Sequence, residues 1–208
     1  MPPQFLIFQF IVLIFSVMIH EISHGLMAER LGDPTARLAG RITLNPLKHI
    51  DMFGSILLPL LLVISGSPII FGWAKPVPYN PALPDPRKAA GKIAAAGPLS
   101  NFLLAGVFAL IFRAYVASAG LTDFAVLLTM IIIVNLSLGV FNLVPIPPLD
   151  GSKVLFSFLP RSHNAHALEN FLERWGMLLI LAFLYFGGNI LSPIIGSLFA
   201  LLTGHRLF

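Results

Sequence analysis

Phe5–Leu31, FLIFQFIVLIFSVMIHEISHGLMAERL, decides the fold and, with it, the chemistry. It is long and apolar enough to span a bilayer, yet it carries His20-Glu21-Ile22-Ser23-His24 in its second half. On a helix, an H-E-x-x-H sets two imidazoles one turn apart on one face, the geometry needed to hold one zinc. Glu21, between them, is placed to act on a water. Polar, water-using groups at membrane depth are costly, and each must be paired or hydrated, so their presence argues for function.

The rest of the chain supports a membrane setting. Of 208 residues 57% are hydrophobic and 11% charged, with a mean hydropathy of +0.89; soluble domains carry roughly a quarter charged residues. Zero cysteines exclude disulfides and thiolate ligands. In a soluble protein the +4 charge would point to nucleic acid, but here basic loops lying on anionic headgroups account for it. The first apolar run is too long, and too rich in polar groups, for a cleaved signal peptide.

Five apolar stretches approach spanning length: about Phe5–Leu31, Met52–Phe71, Ile93–Val116, Phe124–Val144 and Trp175–Leu202. Gly187-Gly188-Asn189 and Ser192-Pro193 break the last into two. The expected fold is an all-α polytopic membrane protein of five to six transmembrane helices in one domain, residues 1–208, with a re-entrant or short extended segment. Met52–Phe71 carries Pro59, Gly66 and Pro68 and either crosses or re-enters. The basic clusters (Arg30, Arg37, Arg41 and Lys48; Lys75, Arg87, Lys88 and Lys92; Lys153, Arg161 and Arg174) share one face only if it re-enters. That face is then cytoplasmic. Arg161–Glu173 reads as a polar connection. The Phe71/Trp73/Lys75/Val77 alternation offers an extended edge for a substrate backbone, or an interfacial loop anchored by Trp73.

Two histidines are half a tetrahedral site, so a third ligand is sought on another span. Asp150 stands out, closing an apolar span broken by Pro145, Pro147 and Pro148. Asp150-Gly151 after prolines is equally an ordinary turn. His49 and Asp51 could sit near the metal, but loop residues at an interface are mostly solvated; His163, His166 and His205 read as surface groups.

Three motifs together resemble the site-2 proteases, in a short prokaryotic form without a PDZ-type domain. They are His20-Glu21-x-x-His24, Gly97-Pro98-x-x-Asn101, and Asn142-x-x-Pro145-x-Pro147-x-Leu149-Asp150-Gly151, and their order is the family's. The resemblance implies an intramembrane zinc endopeptidase with one Zn2+ held by His20, His24 and Asp150. It implies Glu21 as general base and acid, and Asn142 as the residue that holds the substrate or polarises the attacked carbonyl. Asn142 also reads as a helix-end residue satisfying freed backbone, and Gly97, Pro98 and Asn101 as packing and kink residues. The implied partners are a transmembrane protein substrate and the bilayer of a prokaryotic plasma membrane. The competing readings are a transporter with a His/Glu ion path and a silent relative that binds membrane proteins without cutting them.

Overall fold

The computed structural model describes residues 3–57, 60–61, 64–65, 75–80 and 83–206. Its helices are α1 (Pro3–Arg30), α2 (Thr35–Leu38), α3 (Pro86–Ala119), α4 (Asp123–Asn142), α5 (Asp150–Phe158), α6 (His163–Phe186) and α7 (Gly188–Thr203), with short helical turns at Pro46–Lys48 and Met52–Leu57. No strand occurs among the described residues.

Local chemistry sets the ends. Gly32, at φ 94°, takes the left-handed conformation that stops α1. Pro145 disfavours helical backbone at the residue before it, so α4 closes at Asn142. Leu149 is extended, and Asp150 opens α5 with a carboxylate in its first turn, where the helix dipole favours negative charge. The Ser162 hydroxyl accepts from Ala165 N–H to cap α6.

α1, α3 and α4 are each long and apolar enough to cross a membrane. α6 and α7 make a fourth candidate if their bent pair counts as one span; its parts, His163–Phe186 and Ile190–Thr203, meet at 69°. The break falls at the glycines, as expected. The helices display Ile7, Phe10, Phe15, Leu103, Leu110 and Leu178 outward, a surface suited to lipid and not to water. The interior packs small residues of α3 (Ala105, Ala109) and Phe112 against Leu128, Ile132 and Leu136 of α4 and Phe199 of α7. Close helix approach through small residues is how bundles associate where the solvent is itself apolar.

Two expectations need correction. Arg161–Glu173 is no loose connection: from His163 it forms the first turns of α6. Its polarity reflects ion pairing, since Glu169 takes Arg87 of α3 at 2.6 Å. The Asp150 turn, likewise, is the start of α5. Of Met52–Phe71, Met52–Leu57 forms a helical turn, while Phe71 and Trp73 of the proposed edge lie outside the described residues. Residues 75–80 take no regular secondary structure.

The flanks of the Met52–Phe71 stretch are joined, because Lys75 N–H donates to His49 O at 2.8 Å. The chain therefore leaves and returns at one end of the bundle. Ala28 near the end of α1 packs with Leu83, Ala89 and Ile93 at the start of α3, and Arg161 beside α6 pairs with Asp85 at 3.3 Å. Residues of all three basic clusters gather at that end: Arg30 and Lys48, Lys75, Arg87 and Lys88, and Arg161. Asp33, 2% exposed, accepts from Thr35 N–H at 2.9 Å and from Asn80 N–H, tying segment 75–80 to the foot of α1.

Candidate metal centre

α1 carries His20, Glu21 and His24 about 9 to 15 Å along the helix from Arg30 at 1.5 Å per residue, well inside the bundle. His20 is 6% exposed. The two rings meet edge-on, with centroids 4.7 Å apart and planes at 89°. Each is anchored by its Nδ1: His24 Nδ1–H donates to Ile93 O at 2.7 Å, and His20 Nδ1–H to Asn101 Oδ1 at 2.6 Å. Both Nε2 atoms then face one oxygen, Asp150 Oδ2, at 3.0 Å from His20 and 3.2 Å from His24.

This donor set fits a zinc ion. With Nδ1 protonated on both rings, neutral imidazoles leave three lone pairs, two Nε2 and one Oδ2, aimed at one another. A cation between them turns that repulsion into attraction. Bonds of about 2.0–2.1 Å at tetrahedral angles would set ligand atoms about 3.3 Å apart, close to the spacings found. Glu21 completes the cluster: ligand atoms of His20, Glu21 and His24 all lie within 4.8 Å of one another. The Glu21 carboxylate differs in accepting from Val77 N–H at 3.1 Å, which draws one oxygen toward segment 75–80.

Gly97 explains how α3 comes so close. A Cβ there would fall 2.5 Å from His20 Nε2 and 2.5 Å from His24 Cε1, so only glycine leaves room for both rings. Gly151 does the same for the carboxylate, since a Cβ would sit 2.2 Å from Leu143 O. Gly97 is thus a packing residue, as expected, but the packing is against the imidazoles. Asn101, expected to shape packing, bonds to His20 directly.

A cavity of about 520 Å³ opens on the cluster, lined by His20, Glu21, His24 and Asp150 with Asn142, Tyr79 and Lys153 among its walls. Asn142 Nδ2 donates back to Leu138 O at 3.0 Å, the helix-end bond anticipated, while the side chain still borders the cavity. His49 is not solvated: it is 3% exposed, bonded through Nε2–H to Thr43 O at 2.9 Å, and does not line the cavity. His163, His166 and His205 are exposed, as expected. Sequence reading missed Asn135, 1% exposed, which takes an N–H bond from Asn101 at 3.0 Å. The signal was present, since an amide inside an otherwise apolar span must find a partner.

Comparison with known proteins agrees with this geometry. The profile of Peptidase family M50 matches residues 8–119 and 111–185. YwhC of Bacillus subtilis (strain 168) is 37% identical over 199 residues, covering 90% of this chain and 85% of its own length. Rip2 of Mycolicibacterium smegmatis is 29% identical over 81% of this chain and 63% of its own length. The zinc metalloprotease MJ0392 of Methanocaldococcus jannaschii is 25% identical over 86% of this chain and 42% of its own. The chain thus spans less than two thirds of the latter two relatives. No solved structure matches. The family match displaces the transporter reading, and with the His-Glu-His cluster in place the conclusion follows: the chain belongs to Peptidase family M50, the site-2 proteases, and is an intramembrane zinc metalloprotease.

Proposed function

We propose that the chain hydrolyses peptide bonds in or near the transmembrane segments of other membrane proteins, with one zinc per chain held by His20, His24 and Asp150. The observation that carries this is the approach of both Nε2 atoms to Asp150 Oδ2 from helices 130 residues apart in sequence. When bound, zinc supplies Lewis acidity and brings the pKa of a water down to about 7.

The chain's own residues do the rest. Glu21, beside the two imidazoles and open to the cavity, takes the proton from the attacking water and passes it to the leaving amine. Val77 N–H holds one carboxylate oxygen, which fixes the direction of the other. Asn142 uses one N–H on Leu138 O and keeps a second for a substrate carbonyl. A peptide bond inside a helix is shielded, so the substrate must be extended first. Segment 75–80, which lies beside Glu21 and forms no helix, is suited to pairing with an unwound substrate backbone. Residues 1–208 act as a single embedded domain. The fuller count of five or six spans goes with this reading if Met52–Phe71 is membrane-embedded and α6 and α7 count separately. The host membrane is a prokaryotic plasma membrane, the basic end facing the cytoplasm.

The test is zinc stoichiometry together with cleavage of a model transmembrane substrate by purified protein. Glu21→Gln keeps zinc and loses at least about a hundredfold in rate, whereas His24→Ala loses both. Wild-type proteolysis by Glu21→Gln refutes the base assignment, and activity of metal-free protein refutes the mechanism.

A further inference from the structure

His24 and His20 are held in their tautomers by different means. The partner of His24 Nδ1 is the Ile93 carbonyl, a backbone oxygen that can only accept. The partner of His20 Nδ1 is a side-chain amide, Asn101, which could in principle present either oxygen or NH2. Presented the other way, the NH2 would require an unprotonated Nδ1. The proton of a neutral ring would then sit on Nε2 and point at the metal.

Two backbone carbonyls settle the matter at a distance. Ile131 O can only accept, so the Asn135 atom facing it at 2.9 Å is the nitrogen Nδ2. Asn135 therefore turns Oδ1 to Asn101, whose Nδ2 donates to it at 3.0 Å. The same Asn101 nitrogen lies 3.4 Å from Ser16 O, a second obligate acceptor. With its NH2 committed to these oxygens, Asn101 has only Oδ1 left for His20. Both amides are buried, at 0% and 1% exposure, so water cannot substitute for either bond, and neither borders the cavity.

We infer that Asn135, on α4, is a positioning residue that acts through Asn101 to hold His20 in the tautomer whose Nε2 lone pair meets the zinc. The inference rests on the zinc reading above. Outer partners of metal-bound histidines are worth about 10–100-fold in metal affinity, and here the outer shell has two layers, one per helix.

The experiment measures the zinc dissociation constant of the full chain in detergent by chelator competition. Asn135→Leu, which lets the Asn101 amide turn, weakens zinc binding at least about tenfold. Asn101→Asp makes a control background, because a carboxylate accepts from His20 Nδ1 whichever way it is turned. In that background adding Asn135→Leu changes zinc affinity by less than about twofold, a rescue that loss of packing could not produce. Asn135→Ser, whose hydroxyl is too short for both bonds, gives the same pattern if the leucine variant fails to fold. Wild-type affinity in Asn135→Leu, or equal weakening in both backgrounds, overturns the inference while leaving the metal centre intact. A wild-type chain that binds no zinc removes the metal centre, and this inference with it.

Discussion

At the scale of single residues, the centre depends on a missing side chain as much as on those present. Gly97→Ala would place a methyl 2.5 Å from His20 Nε2, and neither ring can retreat without breaking its Nδ1 bond. We expect that variant to lose zinc affinity at least about tenfold, and proteolysis with it, while far-UV circular dichroism reports an intact helix bundle. Gly106→Ala is the matched control on the same helix. Nothing lies within 4 Å of its added Cβ, so zinc binding is unchanged and stability rises by up to about 1 kcal/mol. The proposed ligands were approached in sequence by different routes: His20 and His24 by their spacing on a helix, Asp150 by closing a proline-broken apolar span. For Asn135 the need of a partner was legible but the partner was not, because Asn101 lies 34 residues away on another helix and no spacing rule joins them.

At the scale of elements, the small α2 turn and segment 75–80 are held by Asp33. Burial alone would raise its carboxyl pKa, but the Thr35 hydroxyl and the Asn80 and Thr35 amides outweigh burial and hold it below the usual range. A depressed pKa means the bonds stabilise the fold fully above the unfolded value of about 3.9. That contribution is lost as pH falls through the lower folded value. Asp33→Ala should lower stability by about 1–3 kcal/mol at pH 7. Thermal denaturation in detergent should find the gap between wild type and variant constant from pH 7 to about 5 and closing below about 4. A gap that widens in acid would count against the latch. The elements that sequence misread, α5 and the start of α6, are those whose polarity comes from tertiary partners. Asp150 opens α5 because two imidazoles face it, and Glu169 sits on α6 because Arg87 of α3 neutralises it.

For the whole molecule, residues of all three basic clusters gather at one end, while Arg113 and Arg206 stand apart from them in sequence. Leu38, 82% exposed beside α2, and Leu121, 73% exposed between α3 and α4, belong to opposite ends of the bundle. Because the chain has no cysteine of its own, single substitutions report topology directly. In intact cells a membrane-impermeant thiol reagent should label Leu121→Cys and spare Leu38→Cys until the membrane is opened. Labelling of both from outside would contradict the assignment of the basic end to the cytoplasm. The helical class and the order of the long helices could be read from hydropathy. The return of the chain between α1 and α3 was one of two readings that hydropathy left open and the one the basic clusters favoured, and the bond from Lys75 N–H to His49 O joins its ends. That clasp has a consequence for engineering: a loop grafted between His49 and Lys75 would enter and leave at neighbouring points, so its length could vary at little entropic cost.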